Sequence, residues 1–285
     1  MKPINFCKFH GFGNDYVVIE AAALADVNDL GEFTRAFCRR TTGVGSDGIA
    51  VLEKLTDDGA ADFSCRIINP DGSEAGFSGN GTRCAVAYAF YKKLWTDSNL
   101  RLRTKSGVKN YRLTETMADG HYWFDAEIGV PRFASDAIPF VSPEKTDSVI
   151  DAPLKIDEQE FLVSCVNVGN PVACVFVDNF DFDWREVGRK MERHALFPER
   201  ANIVFVRVLD RENIELRIWE RGAGETSASG TCSSGAAVLA AFTGKTGRRV
   251  SVRTAGGITE ITWRDDNEIL ILGRADIVFC GEYLA

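Results

Sequence analysis

Metal-binding and membrane-spanning patterns are missing from this sequence. Its 285 residues hold three histidines, His10, His121 and His194, and its eight cysteines form no CxxC pair and no Cys/His cluster at metal-ligand spacing. A metal site is therefore not expected. No apolar run approaches the roughly 18 residues that a membrane-crossing helix needs. The opening, MKPINFCKFHGFGNDYVVIE, has neither the apolar core nor the cleavage site of a secretory signal, and the expectation is a cytoplasmic protein. Positive charge is not in excess either. Against 41 acidic residues stand 33 basic ones, a net charge of −8, which argues against nucleic acid and anionic membranes as partners. In a cytosolic chain the eight cysteines read as buried free thiols rather than a disulfide set. Cys7, Cys65, Cys165, Cys174 and Cys280 lie in strand-like apolar contexts, and Cys38 and Cys84 on predicted helices.

What is present is a globular composition, 45% hydrophobic and 26% charged, at a length suited to one large or two modest domains. The chain is organised around Ile214–Phe242, IELRIWERGAGETSASGTCSSGAAVLAAF. Alternation at Ile214, Leu216 and Ile218 predicts a strand. A glycine- and hydroxyl-rich loop follows, and then a small-residue helix. Such a junction aims backbone N–H groups and the positive end of a helix dipole at an anion, although it is also what an ordinary capped helix looks like.

The device occurs twice. Asn69–Phe90, NPDGSEAGFSGNGTRCAVAYAF, is a second strand exit, Gly/Ser loop and Ala-rich helix. Asn69 precedes Ser78 by nine positions, as Glu220 precedes Ser229. RLRTKSGVKNYRLT at Arg101–Thr114 matches VSVRTAGGITEIT at Val250–Thr262, and Gly13-Asn14 and Gly169-Asn170 sit in corresponding places upstream. A repeat of about half the chain predicts two similar domains, with two helix ends forming a symmetric anion site in a cleft.

The coarse reading places a broken strand over 5–20, a helix over 29–40, strands at 49–52 and 61–68, a helix over 85–94, and strands at 100–104, 109–114 and 123–128. A Pro- and Asp-rich stretch, 131–153, is read as linker or edge. The second half follows with a turn at Gly169-Asn170-Pro171, a strand over 173–177, a helix over 184–194, a strand over 203–208 and a strand-like tail over 269–283. The expected architecture is α+β: a first domain over 1–131, to which the tail 273–285 returns, and a second over 132–272.

At this point the motifs FHGFGNDYVV, TTGVGSDGIAVLE, NPDGSEAGFSGNGTRCA, NVGNP, FPERANIVFV and WERGAGETSASGTCSSGAA carry a family resemblance. In that order, and over nearly the whole chain, the sequence resembles the diaminopimelate epimerase family. The resemblance implies the diaminopimelate epimerase-like fold: two pseudo-symmetric domains, each a strand-rich, barrel-like sheet around a central helix. It also implies a cofactor-independent isomerase that interconverts LL- and meso-diaminopimelate for lysine and peptidoglycan synthesis. Inverting Cα requires a proton-transfer group on each face of one carbon. The family uses two cysteines, because a thiol's pKa of about 8.5 can be lowered at a helix N-terminus.

The sequence departs from the family at those positions. Ser78 and Ser229 stand where the two catalytic cysteines are expected, and Val172 where a histidine supports the first. A serine hydroxyl is a poor base without an activating neighbour. Four readings stay open. Serines activated by Glu220, Glu74 or Asp71 perform the epimerisation. A diverged isomerase shifts a proton with a carboxylate, as phenazine-biosynthesis relatives do. A non-catalytic relative binds an amino acid. Or two cysteines were exchanged by design, which explains neither Val172 nor Cys232. Cys84 and Cys232 are weighed as displaced thiols and read as buried helix thiols instead.

The binding positions match the family better. By resemblance Asn14, Asn69, Asn170 and Asn202 line the cleft, and Glu220 with Arg221 grips the distal amino acid centre. Gly79, Asn80, Gly230 and Thr231 offer backbone N–H groups to the α-carboxylate. Asparagine in a Gly-Asn turn is also explained by its tolerance of left-handed backbone, and Glu220 with Arg221 by an ordinary ion pair. The catalytic candidates are Ser78, Ser229 and Glu220, with no cofactor and no metal. The expected partner is a small-molecule amino acid, and a homodimer is left open.

Overall fold

A computed structural model describes residues 3–56, 59–142 and 145–284. The chain divides into two compact units, Met1–Glu127 with Leu272–Ala285, and Ile128–Ile271.

The first unit runs β1 (Ile4–Gly11), β2 (Asn14–Glu20), α1 (Leu30–Phe37), β3 (Ile49–Lys54), β4 (Phe63–Ile68), β5 (Glu74–Ala75), α2 (Gly79–Tyr91), β6 (Asn99–Thr104), β7 (Gly107–Ala118) and β8 (His121–Gly129), whose last residues pass into the second unit. The second runs β9 (Val149–Ile156), β10 (Gln159–Asn167), β11 (Pro171–Phe176), α3 (Trp184–Glu192), β12 (Asn202–Val208), β13 (Asn213–Glu220), β14 (Gly224–Thr226), α4 (Gly230–Phe242), β15 (Arg249–Thr254) and β16 (Gly257–Trp263). A last strand, β17 (Ile269–Tyr283), leaves the second unit and pairs antiparallel with β1.

The sequence repeat is a repeat of pairing. In the first unit β1–β2 is antiparallel, β2–β3 parallel, β3–β4 and β4–β5 antiparallel, β4–β6 parallel and β6–β7 antiparallel. The second unit repeats each relation in order with β10 to β16. The fold is α+β and strand-rich, with a central helix in each unit.

Both central helices have 13 residues, about 20 Å. Each is buried on every side rather than on one stripe, at Asn80–Ala89 and Thr231–Ala240, which is why their sequences show so little amphipathic pattern. Small residues let the strands close around them. A Cβ added at Gly81 would stand 2.9 Å from Ile67 Cδ1, and one at Gly235 2.9 Å from Val172 Cβ. The outer helices cover the opposite sheet face. Val17 and Ile19 of β2 pack with Phe37 of α1, and Ile203 and Phe205 of β12 pack with Trp184 and Met191 of α3. Strands buried on both faces read as apolar runs.

Three details differ from the sequence reading. Both central helices begin at the glycine after the serine, so the loop motifs GNGTRC and GTCSS are their first turns. Burial outweighs the low helix propensity of Gly and Thr there. Within 131–153, β9 begins at Val149; it pairs with β10, and its Pro153 sits opposite Leu162. Third, Cys7 and Cys280 are a disulfide rather than free thiols, with Cα atoms 4.0 Å apart. They are direct partners in the β1–β17 register, and a sequence separation of 273 hides that adjacency. The other six cysteines are free and buried.

Candidate active site

Ser78 is the N-cap of α2. Its backbone is extended, and its Oγ accepts a hydrogen bond from the Gly81 N–H at 3.1 Å. The Oγ donates to the Tyr16 hydroxyl at 3.0 Å. Tyr16 follows Asn14 by two on β2, so both side chains leave the same face of that strand. Asn14 opens β2 after a two-residue hairpin turn, Phe12-Gly13, with φ of 55° and 86°, the signature of a type I′ turn. This settles the break in the first predicted strand: it is a hairpin that delivers Asn14.

A polar chain runs from Asn14 in two directions. Asn80 Nδ2 donates to Asn14 Oδ1 at 3.1 Å, and Asn14 Nδ2 donates to Asp47 Oδ2 at 2.8 Å. Asp47 also meets Arg40 at 2.6 Å, and Arg40 reaches Asp15, which Lys8 approaches at 2.6 Å. Burial pushes the Asp15 carboxyl up, but the hydrogen bonds from Arg40 and Lys8 outweigh it and hold the group down at about 2. On the other side Arg83, 1% exposed, donates to Asn80 Oδ1 at 2.7 Å. A buried guanidinium thus stands behind the first turn of α2. A Cβ added at Gly273 would lie 2.4 Å from its Cζ, so only glycine fits there.

Asn69 closes its own turn, donating from Nδ2 to Ser73 Oγ at 3.0 Å. Gly79 lies in the first turn, where an added Cβ would meet nothing closer than 3.9 Å. The two acidic candidates on this side are engaged elsewhere. Glu74 accepts from Arg66 at 2.8 Å, and Asp71 accepts from Ser73 Oγ at 2.6 Å. The neighbour of Ser78 is a phenol, not a carboxylate.

The second unit has the matching junction with different chemistry. Ser229, 8% exposed, is the N-cap of α4 but makes no side-chain cap. Its Oγ donates to Glu220 Oε2 at 3.0 Å instead, while Thr226 Oγ1 donates to Glu220 Oε1 at 2.8 Å. Burial raises the Glu220 carboxyl above its ordinary value, and the two hydroxyl donors partly offset this. Asn202, 3% exposed, accepts the Arg221 N–H at 2.9 Å, and Glu192 accepts the Gly222 N–H at 3.0 Å. These two bonds fix the turn that follows Glu220. The Arg221 guanidinium donates to the Glu199 carbonyl at 3.2 Å, so Glu220 and Arg221 are not an ion pair with each other. Asn170 O accepts from the Val168 N–H at 3.2 Å across the Gly169 turn. Gly230 and Thr231 form the first turn of α4. Val172 is fully buried and lies against Gly235.

Burial pushes the Cys84 thiol up to about 12 and Cys232 well above its ordinary value. Neither is a displaced thiolate. Among the described residues, no three His, Cys, Asp or Glu side chains gather as a metal-binding group. No described helix is long and apolar enough to cross a membrane. Sequence reasoning missed Tyr16, Thr226, Asp47 and Arg83. Tyr16 had a usable signal, its i+2 spacing from Asn14; the others depend on pairings that spacing does not reveal.

The diaminopimelate epimerase family model matches residues 6–128 and 164–278. The diaminopimelate epimerase of Caldanaerobacter subterraneus subsp. tengcongensis is 38% identical over 98% of this chain and 99% of its own length. Among solved structures, a phenazine biosynthesis protein of the PhzF family from Bacillus anthracis has a TM-score of 0.69 at 18% identity, covering 100% of both chains. A hydroxyproline epimerase from Agrobacterium vitis has a TM-score of 0.67 at 13% identity, covering 99% of this chain and 91% of its own. These solved structures share the fold. Fold and family match together define an isomerase of the two-unit, helix-in-sheet type. More narrowly, the chain belongs to the diaminopimelate epimerase family.

Proposed function

We propose that this chain epimerises an α-amino acid, diaminopimelate by its family, through cofactor-independent proton transfer at Cα. The observation that carries the reading is the Ser229–Glu220 pair, 3.0 Å apart at the N-terminus of α4. A serine alone is too weak a base, but a carboxylate in contact with it supplies one, and burial moves that carboxylate toward working pH. Glu220 takes the proton, directly or through the Ser229 hydroxyl, and Ser78 serves as the other group.

In this reading the backbone N–H groups of Gly79, Asn80, Gly230 and Thr231 receive the α-carboxylate, where helix dipoles stabilise the developing charge. Asn14, Asn69, Asn170, Asn202 and Arg221 orient the rest of the substrate. Arg83, buried behind Asn80, adds positive potential on the α2 side. Relatives named diaminopimelate epimerase at 38% and 35% identity favour turnover over simple amino acid binding. The proposed place of action is the cytoplasm, where Cys7 and Cys280 would meet a reducing pool.

The test is Cα–H exchange. The purified chain is incubated with LL- and meso-diaminopimelate in D₂O, and the α-proton is followed by NMR. Exchange with inversion supports the reading. Absence of exchange, with binding shown by calorimetry, sinks it in favour of a binder.

A further inference from the structure

The two serines have unlike neighbours, and the neighbour of Ser78 has no role in the reaction as described so far. We infer that Tyr16 is a positioning and proton-supplying residue for Ser78. This rests on the epimerase reading above.

The geometry is specific. The Tyr16 hydroxyl lies 3.0 Å from Ser78 Oγ, and the residue is 6% exposed. Its ring is held by two glycines, one in the loop before β3 and one in the first turn of α2. A Cβ at Gly48 would lie 2.7 Å from Tyr16 Cε1, and a Cβ at Gly81 2.9 Å from the same atom. Gly81 also donates its N–H to Ser78 Oγ at 3.1 Å. One residue therefore seats the ring and orients the serine. Next to Tyr16 in sequence, Asp15 is fixed by Arg40 and Lys8, and Asn14 by Asp47, so the strand that presents the phenol is anchored.

The chemistry follows from acidities. Serine lacks the thiol's low pKa, and a serine that protonated a carbanion unaided would be left as an alkoxide. A phenol has a reference pKa of about 10, far below that of an aliphatic hydroxyl. In the proposed step the two hydroxyls rotate so that Tyr16 Oη–H, rather than Ser78 Oγ–H, spans the 3.0 Å between them, and the Ser78 Oγ–H bond breaks as the new Cα–H bond forms. At the same time the Tyr16 Oη–H bond breaks and Ser78 Oγ–H is restored. The electron pair of the carbanion ends as a phenolate, which takes its proton from water. On the other face Glu220 has accepted the original proton and returns one to water, so charge and protons balance. In the reverse direction Tyr16 is the sink and Glu220 the source.

The experiment combines Tyr16→Phe with Ser78→Cys. Tyr16→Phe keeps the ring between Gly48 and Gly81 and removes only the oxygen. The expected result is a fall in kcat for inversion of about 10²-fold or more with KM changed less than about threefold. One stereoisomer, the one deprotonated at Glu220, should still exchange its α-proton for deuterium without inverting. In the Ser78→Cys background a thiol needs no phenol, and the same Tyr16→Phe change should cost less than about threefold. Equal losses in both backgrounds, or no loss in either, overturn the inference while leaving the epimerase reading intact. No exchange by the unaltered chain overturns both. Should Tyr16→Phe fail to fold, fluorotyrosine placed at position 16 keeps the shape and changes the phenol's acidity. A kcat that does not respond to it overturns the inference as well.

Discussion

Replacing Glu220 by glutamine separates what this residue does for the reaction from what it does for the fold. The carboxylate is isosteric with the amide, and its two hydroxyl donors, from Thr226 and Ser229, can both reorient. The amide oxygen accepts from one hydroxyl and its N–H group donates to the other, so the hydrogen-bond count is kept. What is lost is the base of the proposed reaction. Removing a positioned general base costs about 10²–10⁴ in rate, which is roughly 2.7–5.4 kcal/mol of barrier. The expected result is a kcat lowered by that factor in both directions of epimerisation, with a small change in KM.

Stability should move the other way. The Glu220 carboxyl is raised in the folded chain, mainly by burial. A raised carboxyl binds more protons in the folded state than in the unfolded one, so its contribution is fully present below the unfolded pKa and is lost as pH rises through the folded one. At neutral pH the wild-type chain therefore carries a desolvated charge that Glu220→Gln removes. The variant should melt at the same temperature or higher at pH 7, and its advantage should shrink as pH falls toward 4.5. The assays are steady-state epimerisation with diaminopimelate and thermal melts from pH 4 to 8. A variant that retains kcat within about threefold, or that is destabilised equally at every pH, would refute the reasoning.

Three further outcomes are expected. Asp15, held down at about 2 by Arg40 and Lys8, contributes stability that is present above its ordinary 3.8 and is lost as pH falls toward 2. Asp15→Asn should thus cost roughly 2 kcal/mol at pH 7 and little at pH 2 by chemical denaturation; an equal cost at both would remove the ion pairs as the cause. Opening Cys7–Cys280 by a reductant, or by Cys280→Ser, should lower stability by about 2–4 kcal/mol, because the bridge closes nearly the whole chain; an unchanged melt under reductant would show that β1–β17 pairing suffices. Ser78→Cys with Ser229→Cys should raise epimerase turnover, and no gain with substrate binding retained would show that thiol loss is not what limits the rate.

The fold was legible because its repeat is written in loops. Nine residues separate Asn69 from Ser78 and Glu220 from Ser229, and these intervals are the paired hairpin-to-helix junctions β4–β5–α2 and β13–β14–α4. Helix starts were misplaced for a physical reason. Gly79-Asn80-Gly81 and Gly230-Thr231 are poor helix formers, and only enclosure by the sheet makes them helical. The Cys7–Cys280 bond was missed although both the tail's return to the first sheet and the strand character of the two segments were readable. Register decides whether two cysteines meet, and register is not visible across so long an interval.

Of the candidate site, the two serine-bearing junctions were legible and the side chains beside them were not. Spacing located Ser78 and Ser229 in matching loops before the helices, and both are N-caps, but spacing treats them as equivalent, and their surroundings do not. Ser229 spends its proton on a carboxylate and leaves α4 without a side-chain cap. Ser78 caps α2 and meets a phenol. That asymmetry arises from Glu220 and Tyr16, one on the strand just before the repeated loop and the other more than sixty residues before its serine, so a comparison confined to the loops has no access to it. It also bears on how the proposed reaction would run without thiols. A cysteine pair is symmetric because one residue type must act as acid and as base. A serine cannot act as either unaided, and a serine pair works only if each has a different helper, one that holds a proton near neutral pH and one that takes it up. In the proposed reaction Tyr16 is the helper that supplies a proton and Glu220 the one that takes it up; neither needs a histidine, and Val172 packs against Gly235.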